Sequence, residues 1–343
     1  MREYMTGVVG NKKLREKLCL DVLMDKLSHA CIIEGPYGTG KHTIAKNAAA
    51  ALACQSRDSS SLPFPCGKCI GCKKVFEDKC PDLITIRRGR DKATLGVDVI
   101  RDLKKDVYTV PNDLDFKIYV IEDADKMTEE AQNALLLTLE EPPSYVRFFL
   151  LAESSELLLE TIRSRAPVLR TEPISNADID AYLQANDRRA AQMKLSSPDE
   201  YAELITAANN GIGSALEYLE PSVFSPIQGA RGLVKDFLYA ASARDVRALL
   251  PMLTRFSSKR DTLTEQLTEL SEAVNDLVLL KKSDSAPLRF FENRNTAIEL
   301  SDKCSLRFLC DLSGAVFTAL ESTAKNANVR LTMIKLLCDA ELI

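Results

Sequence analysis

Short apolar runs rich in β-branched residues alternate with longer stretches of helical periodicity through the first half of this chain. The runs are Ala30 to Glu34, Asp82 to Arg87, Phe116 to Glu122, Arg147 to Ala152 and Pro167 to Arg170, each with the length and composition of a buried strand. Between them lie Lys41 to Ala53, nearly all Ala, Lys, Ile and Asn, and Gly96 to Tyr108, with Val97, Ile100, Leu103 and Val107 on one face. Thr128 to Glu141 and Leu157 to Arg163 complete the helical set. Such alternation predicts a five-stranded parallel sheet with helices on both faces. From Ser175 the strand pattern stops. Asn176 to about Glu220 reads as a small helical lid, closed by a linker at Pro221-Ser222-Val223-Phe224-Ser225-Pro226. Beyond it the chain is amphipathic helix, with breaks near Ser257-Ser258 and Ser283 to Pro287. The expected fold is α/β followed by all-α, with a sheet domain over 1–174, a lid over 175–222 and a helical C-terminal domain over 227–343.

Between the first strand and its helix stands Gly35-Pro36-Tyr37-Gly38-Thr39-Gly40-Lys41. Strand, glycine loop and helix N-terminus bring backbone N–H groups onto a polyphosphate, with the Lys41 ammonium reaching the outer phosphates. Gly35, Gly38, Gly40 and Lys41 therefore suit ATP or ADP. His42 occupies the place of the Ser or Thr that holds magnesium in such loops. Thr43 could take over that part only if the helix start were shifted by one residue, so the expectation for Mg2+ is poor.

The other half of a nucleotide site should be an apolar strand ending in acids, which Lys117-Ile118-Tyr119-Val120-Ile121-Glu122-Asp123-Ala124-Asp125 supplies. In phosphate-loop ATPases of the AAA+ type the order is Asp-Glu, the Asp supporting magnesium and the Glu polarising water. Glu122 and Asp123 reverse it. Asp123 is one methylene shorter than the expected base, and a misplacement of about 1 Å costs on the order of a hundredfold in rate.

Thr128 suits an N-cap, Glu129 and Glu130 complement the helix dipole, and Pro142 with Pro143 stop the helix. Ala131, Ala134, Leu135 and Leu139 explain its buried face. The whole string Glu-Asp-Ala-Asp-Lys-Met-Thr-Glu-Glu-Ala-Gln-Asn-Ala-Leu-Leu, with Thr-Leu-Glu-Glu-Pro-Pro after it, resembles the bacterial DNA polymerase III clamp-loader family, and within it the delta-prime branch. That resemblance implies an AAA+ phosphate-loop domain, a helical lid and a helical C-terminal collar. It also implies a hetero-pentamer with motor (gamma/tau) and delta subunits that loads the sliding clamp on primer-template DNA. The order of the three parts agrees over the whole chain, while the motifs sit in residues 1 to about 220.

Cysteine usage adds a metal. Ten cysteines in a chain with no signal-like segment after Met1-Arg2-Glu3-Tyr4 suit a cytoplasmic protein and metal binding more than disulfides. Cys66-Gly67-Lys68-Cys69-Ile70-Gly71-Cys72 offers three thiolates, and Cys54 upstream and Cys80 downstream both qualify as the fourth. Cys80-Pro81 follows Cys72 at a spacing too long for the usual iron–sulfur run, which favours structural four-thiolate zinc closed by Cys54. The resemblance implies the same zinc module, over about 54–80 between the phosphate-loop helix and the second strand, with Cys80-Pro81-Asp82 where the family has His-Pro-Asp. Cys19, Cys31, Cys304, Cys310 and Cys338 lie at apolar helix or strand spacings and read as buried small hydrophobes.

Three further positions follow from the resemblance. Thr161-Ile162-Arg163-Ser164-Arg165-Ala166 is similar to the Ser-Arg-Cys motif that offers an arginine to a neighbouring subunit's nucleotide, so Arg165 is the expected trans finger. Glu153 stands where active relatives carry a polar sensor, and Ser214 where they carry a second sensor arginine. A net charge of −4 and the lack of Trp argue against direct electrostatic or stacking capture of DNA, and no run approaches a membrane span. Two functions remain: a non-catalytic clamp-loader subunit that supplies Arg165, or an ATP-hydrolysing gamma/tau-type motor subunit. His42, the Glu122/Asp123 inversion, Glu153 and Ser214 disfavour the motor. A branch-migration helicase is more distant, because the cysteine knuckle sits where clamp loaders carry it.

Overall fold

The computed structural model describes residues 2–59, 61–89 and 92–343; Ser60, inside the cysteine segment, lies outside them. The chain falls into two compact units, Met1–Tyr182 with Asn210–Gly213, and Leu183–Asn209 with Ser214–Ile343.

In the first unit the elements run α1 (Lys12–Leu23), β1 (Ala30–Glu34), α2 (Lys41–Leu52), α3 (Ile70–Phe76), β2 (Leu83–Ile86), α4 (Val97–Asp106), β3 (Lys117–Ile121), α5 (Glu129–Glu140), β4 (Val146–Ala152), α6 (Glu160–Arg163) and β5 (Val168–Arg170). All strand pairs are parallel, in the order β2-β3-β4-β1-β5. Successive side chains of a strand point to opposite faces. Cys31, Ile33, Ile118, Val120, Phe149 and Leu151 accordingly join the core under α1 and α2. Ile32, Tyr119, Ile121, Phe148 and Leu150 join the core under α4 and α5. Because both faces are covered, the strands are continuous apolar runs, which made them legible. Asp82, fully buried just before β2, accepts backbone N–H bonds from Asn112, Asp113 and Leu114 and so fixes the approach to β3.

Two expectations about local structure are corrected. Leu157 to Arg163 is not one helix: a 3-10 turn (Ser155–Leu157) is followed by extended residues and the single turn α6. The cause is Gln132, whose side chain accepts the N–H of Leu159 at 2.8 Å and donates to the carbonyl of Leu157 at 3.3 Å, taking the place of helical bonds. The Pro221–Pro226 linker is in fact the start of α11 (Pro221–Ser242). Pro221 occupies the first helical position, where its fixed φ and missing N–H cost little. Phe224 anchors that turn, buried and stacked on Tyr218 at 5.7 Å.

The second unit is helical. After α7 (Asn176–Asn186), which leads into it, come α8 (Arg188–Ser196), α9 (Pro198–Ala207), α10 (Ile212–Tyr218) and α11, then α12 (Val246–Arg255), α13 (Arg260–Leu280), α14 (Arg294–Lys303), α15 (Leu306–Ala324) and α16 (Val329–Asp339). The gaps after α12 and α13 fall at the expected breaks. Leu267, Leu270, Val274 and Leu277 of α13 pack with Leu309, Leu312 and Val316 of α15 at the centre of this unit's core.

Candidate functional site

In a parallel sheet the strand C-termini share one edge, where ligand sites of open α/β folds lie. Here that edge gathers the glycine loop after β1, Arg87 after β2, Glu122 after β3 and Glu153 after β4. The loop is anchored by the Gly35 N–H on the Ala152 carbonyl at 3.1 Å. A Cβ at Gly35 would lie 1.8 Å from Thr171 Oγ1, and Gly40 has φ 86°, so both positions demand glycine. α2 begins at Lys41 with no side-chain cap, leaving its first N–H groups directed at the loop. The helix start is not shifted, and Thr43 is exposed. Lys41 Nζ turns onto the loop's own carbonyls, 2.6 Å from Gly35 and 2.9 Å from Pro36. Burial pulls its pKa down, and the charges of Glu153, Asp125 and Asp123 oppose that.

Asn11 was missed by the sequence reading. Its buried side chain donates to the Thr39 carbonyl at 3.5 Å and accepts the Glu172 N–H at 2.6 Å, tying the N-terminal segment to the loop and to the exit of β5. The Gly213 N–H donates to the Gly38 carbonyl at 3.0 Å. A Cβ at Gly213 would come within 3.0 Å of Gly38 Cα, so backbone rests on backbone there. Ser214 is buried at the start of α10.

Of these acids, Glu122 and Asp123 are ion-paired and Asp125 is enclosed, while Glu153 is exposed. Glu122 meets Arg87 Nε at 2.7 Å and His42 Nε2 at 3.4 Å, and Asp123, in the left-handed region at φ 50°, meets Arg88 Nε at 2.8 Å. Burial lowers the His42 pKa against the pull of Glu122, which keeps the imidazole neutral near pH 7. Asp125 is buried, with Oδ2 lacking a hydrogen-bond partner. Arg87 and Arg88 were legible only once β2 was known to neighbour β3.

Four cysteines come together: the sulfurs of Cys54, Cys66, Cys69 and Cys72 all lie within 4.8 Å of one another, and Cys66 and Cys72 are 3.9 Å apart. A tetrahedral ion with Zn–S of about 2.3 Å needs sulfurs about 3.8 Å apart, so this cage fits with small adjustments. Cys54 follows the end of α2, Gly67 turns the knuckle at φ 68°, and Cys69 caps α3 by accepting the Cys72 N–H at 3.4 Å. Burial opposes ionisation of Cys66, but N–H groups of Cys69 and Lys68 and the thiols of Cys69 and Cys54 bring its pKa down to about 6. Burial pushes the Cys54 and Cys72 thiols up, so their thiolates call for a cation's charge. Cys80 is buried outside the group. Of the other five cysteines expected to be buried, Cys19, Cys31 and Cys304 are, but Cys310 on α15 and Cys338 on α16 are exposed.

Arg165 lies between α6 and β5, one-third exposed at 34%. Its guanidinium reaches Glu140 Oε1 at 2.8 Å and the Thr161 carbonyl at 2.8 Å. Ala166 is fully buried, which suits a small residue there. The Ile32 N–H bonds to the Pro167 carbonyl, so the chain enters β5 level with the middle of β1. Arg165 precedes that point, toward the N-terminal edge of the sheet, whereas the phosphate loop leaves the C-terminal edge.

The strand order, with a glycine loop after β1 and acids after β3, defines an AAA+ phosphate-loop domain followed by an all-helical region. Residues 10–175 match the family model described as DNA polymerase III, delta subunit. A DNA polymerase III subunit gamma of Buchnera aphidicola is 31% identical over 215 residues, 62% of this chain and 56% of that protein. The DNA polymerase III subunit delta' of Bacillus subtilis is 32% identical over 193 residues, 52% of this chain and 57% of that protein. The phosphate-loop half of the chain is thus similar to DNA polymerase III gamma and delta' subunits. The matched regions span little more than half the length of these relatives. A gamma-subunit-related protein from Thermotoga maritima, of solved structure, aligns with a TM-score of 0.45 at 17% identity over 95% of this chain and 98% of that one.

Proposed function

We propose that the chain is a delta-prime-type subunit of a DNA polymerase III clamp loader, largely without ATPase activity of its own, which supplies Arg165 to the nucleotide of a neighbouring motor subunit. The observation that carries this reading is the position of Arg165, one-third exposed and toward the sheet edge opposite the chain's own phosphate loop. A guanidinium neutralises charge spread over the transferring phosphoryl group, an effect on the order of 10³ to 10⁵ in rate. The chain's own site supports the reading from the other side: His42 stands in place of the magnesium-holding hydroxyl, and Glu122 and Asp123 are ion-paired. Partners of the proposed assembly are gamma/tau motor and delta subunits, with the sliding clamp and primer-template DNA reached through the complex. The helical region 227–343 serves as the oligomerisation collar, and Cys54, Cys66, Cys69 and Cys72 hold a structural Zn2+ with no open coordination position.

A gamma/tau-type motor is the second reading, favoured by the intact glycine geometry of the loop and by identity to a gamma subunit. The discriminating experiment compares Arg165→Ala with Lys41→Ala in a reconstituted loader. Loss of DNA-stimulated ATPase and clamp loading with Arg165→Ala, and near-normal rates with Lys41→Ala, is the expected outcome. The reverse pattern makes this chain a motor.

A further inference from the structure

Arg87 and Arg88 directly follow β2, and β2 is the edge strand beside β3, so both side chains reach the acids at the end of β3. Each acid has its own guanidinium: Arg87 Nε is 2.7 Å from Glu122 Oε2, and Arg88 Nε is 2.8 Å from Asp123 Oδ2. The other Glu122 oxygen faces His42 Nε2 at 3.4 Å. Active sites of this fold hold Mg2+ between the hydroxyl after the loop lysine and the acid of the third strand. Here the hydroxyl is an imidazole and the acids are already paired, so the residues present do not fit the metal.

These ion pairs are partly exposed, with 61% of the Arg87 side chain and 43% of the Arg88 side chain open to water, so neither is individually strong. Exclusion of a metal therefore rests on local charge. Two fixed positive groups lie against the two carboxylates that a divalent ion would need, and like charges a few ångströms apart repel. The pair also answers a problem internal to the site. Glu153, Asp125 and Asp123 all act on Lys41, and Glu122 adds a fourth carboxylate to the same sheet edge.

We propose that Arg87 and Arg88 replace the divalent cation at this site, holding Glu122 and Asp123 as internal ion pairs and barring Mg2+ from the phosphate loop. This rests on the reading of the loop as non-catalytic and names the residues responsible. The test uses Mn2+ as a paramagnetic probe of the full-length, zinc-loaded chain, with free Mn2+ read by electron paramagnetic resonance. Wild type and Glu122→Gln should bind Mn2+ equally weakly. Arg87→Ser with Arg88→Ser should gain one Mn2+ per chain, at least about tenfold tighter than wild type, and adding Glu122→Gln should abolish the gain. A wild-type Mn2+ site removed by Glu122→Gln overturns the proposal without needing any arginine variant. So does a double variant that melts like wild type and gains nothing. If either occurs while Arg165→Ala still cripples the reconstituted loader, only the cation replacement is lost and the trans-arginine reading stands.

Discussion

Gly71→Ala puts the cysteine cage under a load that can be worked out from the structure. A Cβ on Gly71 would lie 2.1 Å from the Ala53 carbonyl oxygen, 3.0 Å from its carbon and 3.3 Å from Ala53 Cβ. A relaxed carbon–oxygen contact is about 3.3 Å, so α3 has to retreat from the end of α2 by about 1 Å. Both sides of the contact are backbone, and neither can swing away as a long side chain would. Cys69 and Cys72 ride on α3, while Cys54 follows Ala53 directly, so the retreat splits the cage along its middle. Zinc–sulfur bonds tolerate about 0.2 Å, several times less than the imposed shift. The variant should lose about 1–3 kcal/mol of stability and most of its zinc. Helix propensity alone has the opposite sign, since Ala is favoured over Gly by about 1 kcal/mol in a helix interior. The assay is metal content by mass spectrometry, the rate of zinc transfer to a colorimetric chelator, and the melting temperature, with Gly96→Ala, which meets nothing within 4 Å, as control. Gly71→Ala protein that keeps one zinc per chain, releases it at the wild-type rate and melts no lower refutes the reasoning.

Asp82→Asn removes one of two accepting oxygens from a carboxylate that takes the N–H groups of Asn112, Asp113 and Leu114 at 2.7, 2.6 and 2.9 Å. A cost of about 1–3 kcal/mol in chemical denaturation is expected, with faster amide exchange confined to those residues. In the helical unit, Arg231 is 2% exposed, bonds Glu269 at 2.8 Å and the Phe290 carbonyl, and lies over the Phe290 ring. Arg231→Ala should destabilise by about 3–5 kcal/mol, and the double change Arg231→Met with Glu269→Leu should recover most of it; urea titration distinguishes the two. Burial pushes the Cys19 and Cys31 thiols up to about 12, so alkylation of the native zinc-loaded protein at about pH 8 should mark the exposed Cys310 and Cys338 and spare those two. Native labelling of Cys19 or Cys31 would contradict that burial.

The sequence by itself determined whatever depends on local spacing. A strand buried on both faces writes itself as a continuous apolar run and a helix as a 3.6-residue period, so the five strands lay within a residue or two of their predicted places. The Thr128 cap was legible for the same reason, and its hydroxyl accepts the Ala131 N–H at 3.3 Å. Three cysteines at fixed spacing announced a thiolate knuckle, and the spacing of Cys80-Pro81 already favoured Cys54 as the fourth ligand; the chain's path agrees, bringing Cys54 within 4.8 Å of the other three. Tertiary structure alone decided the rest. Gln132 lies 27 residues from the N–H it accepts, and that bond broke a helix the local pattern predicted. Arg88 pairs with Asp123, 35 residues away, because β2 and β3 are neighbours in the sheet. Glu140 holds Arg165 because α5 and α6 pack together. Such pairings leave no period in the sequence: they follow from strand order and helix packing, which are properties of the whole core and not of any one segment.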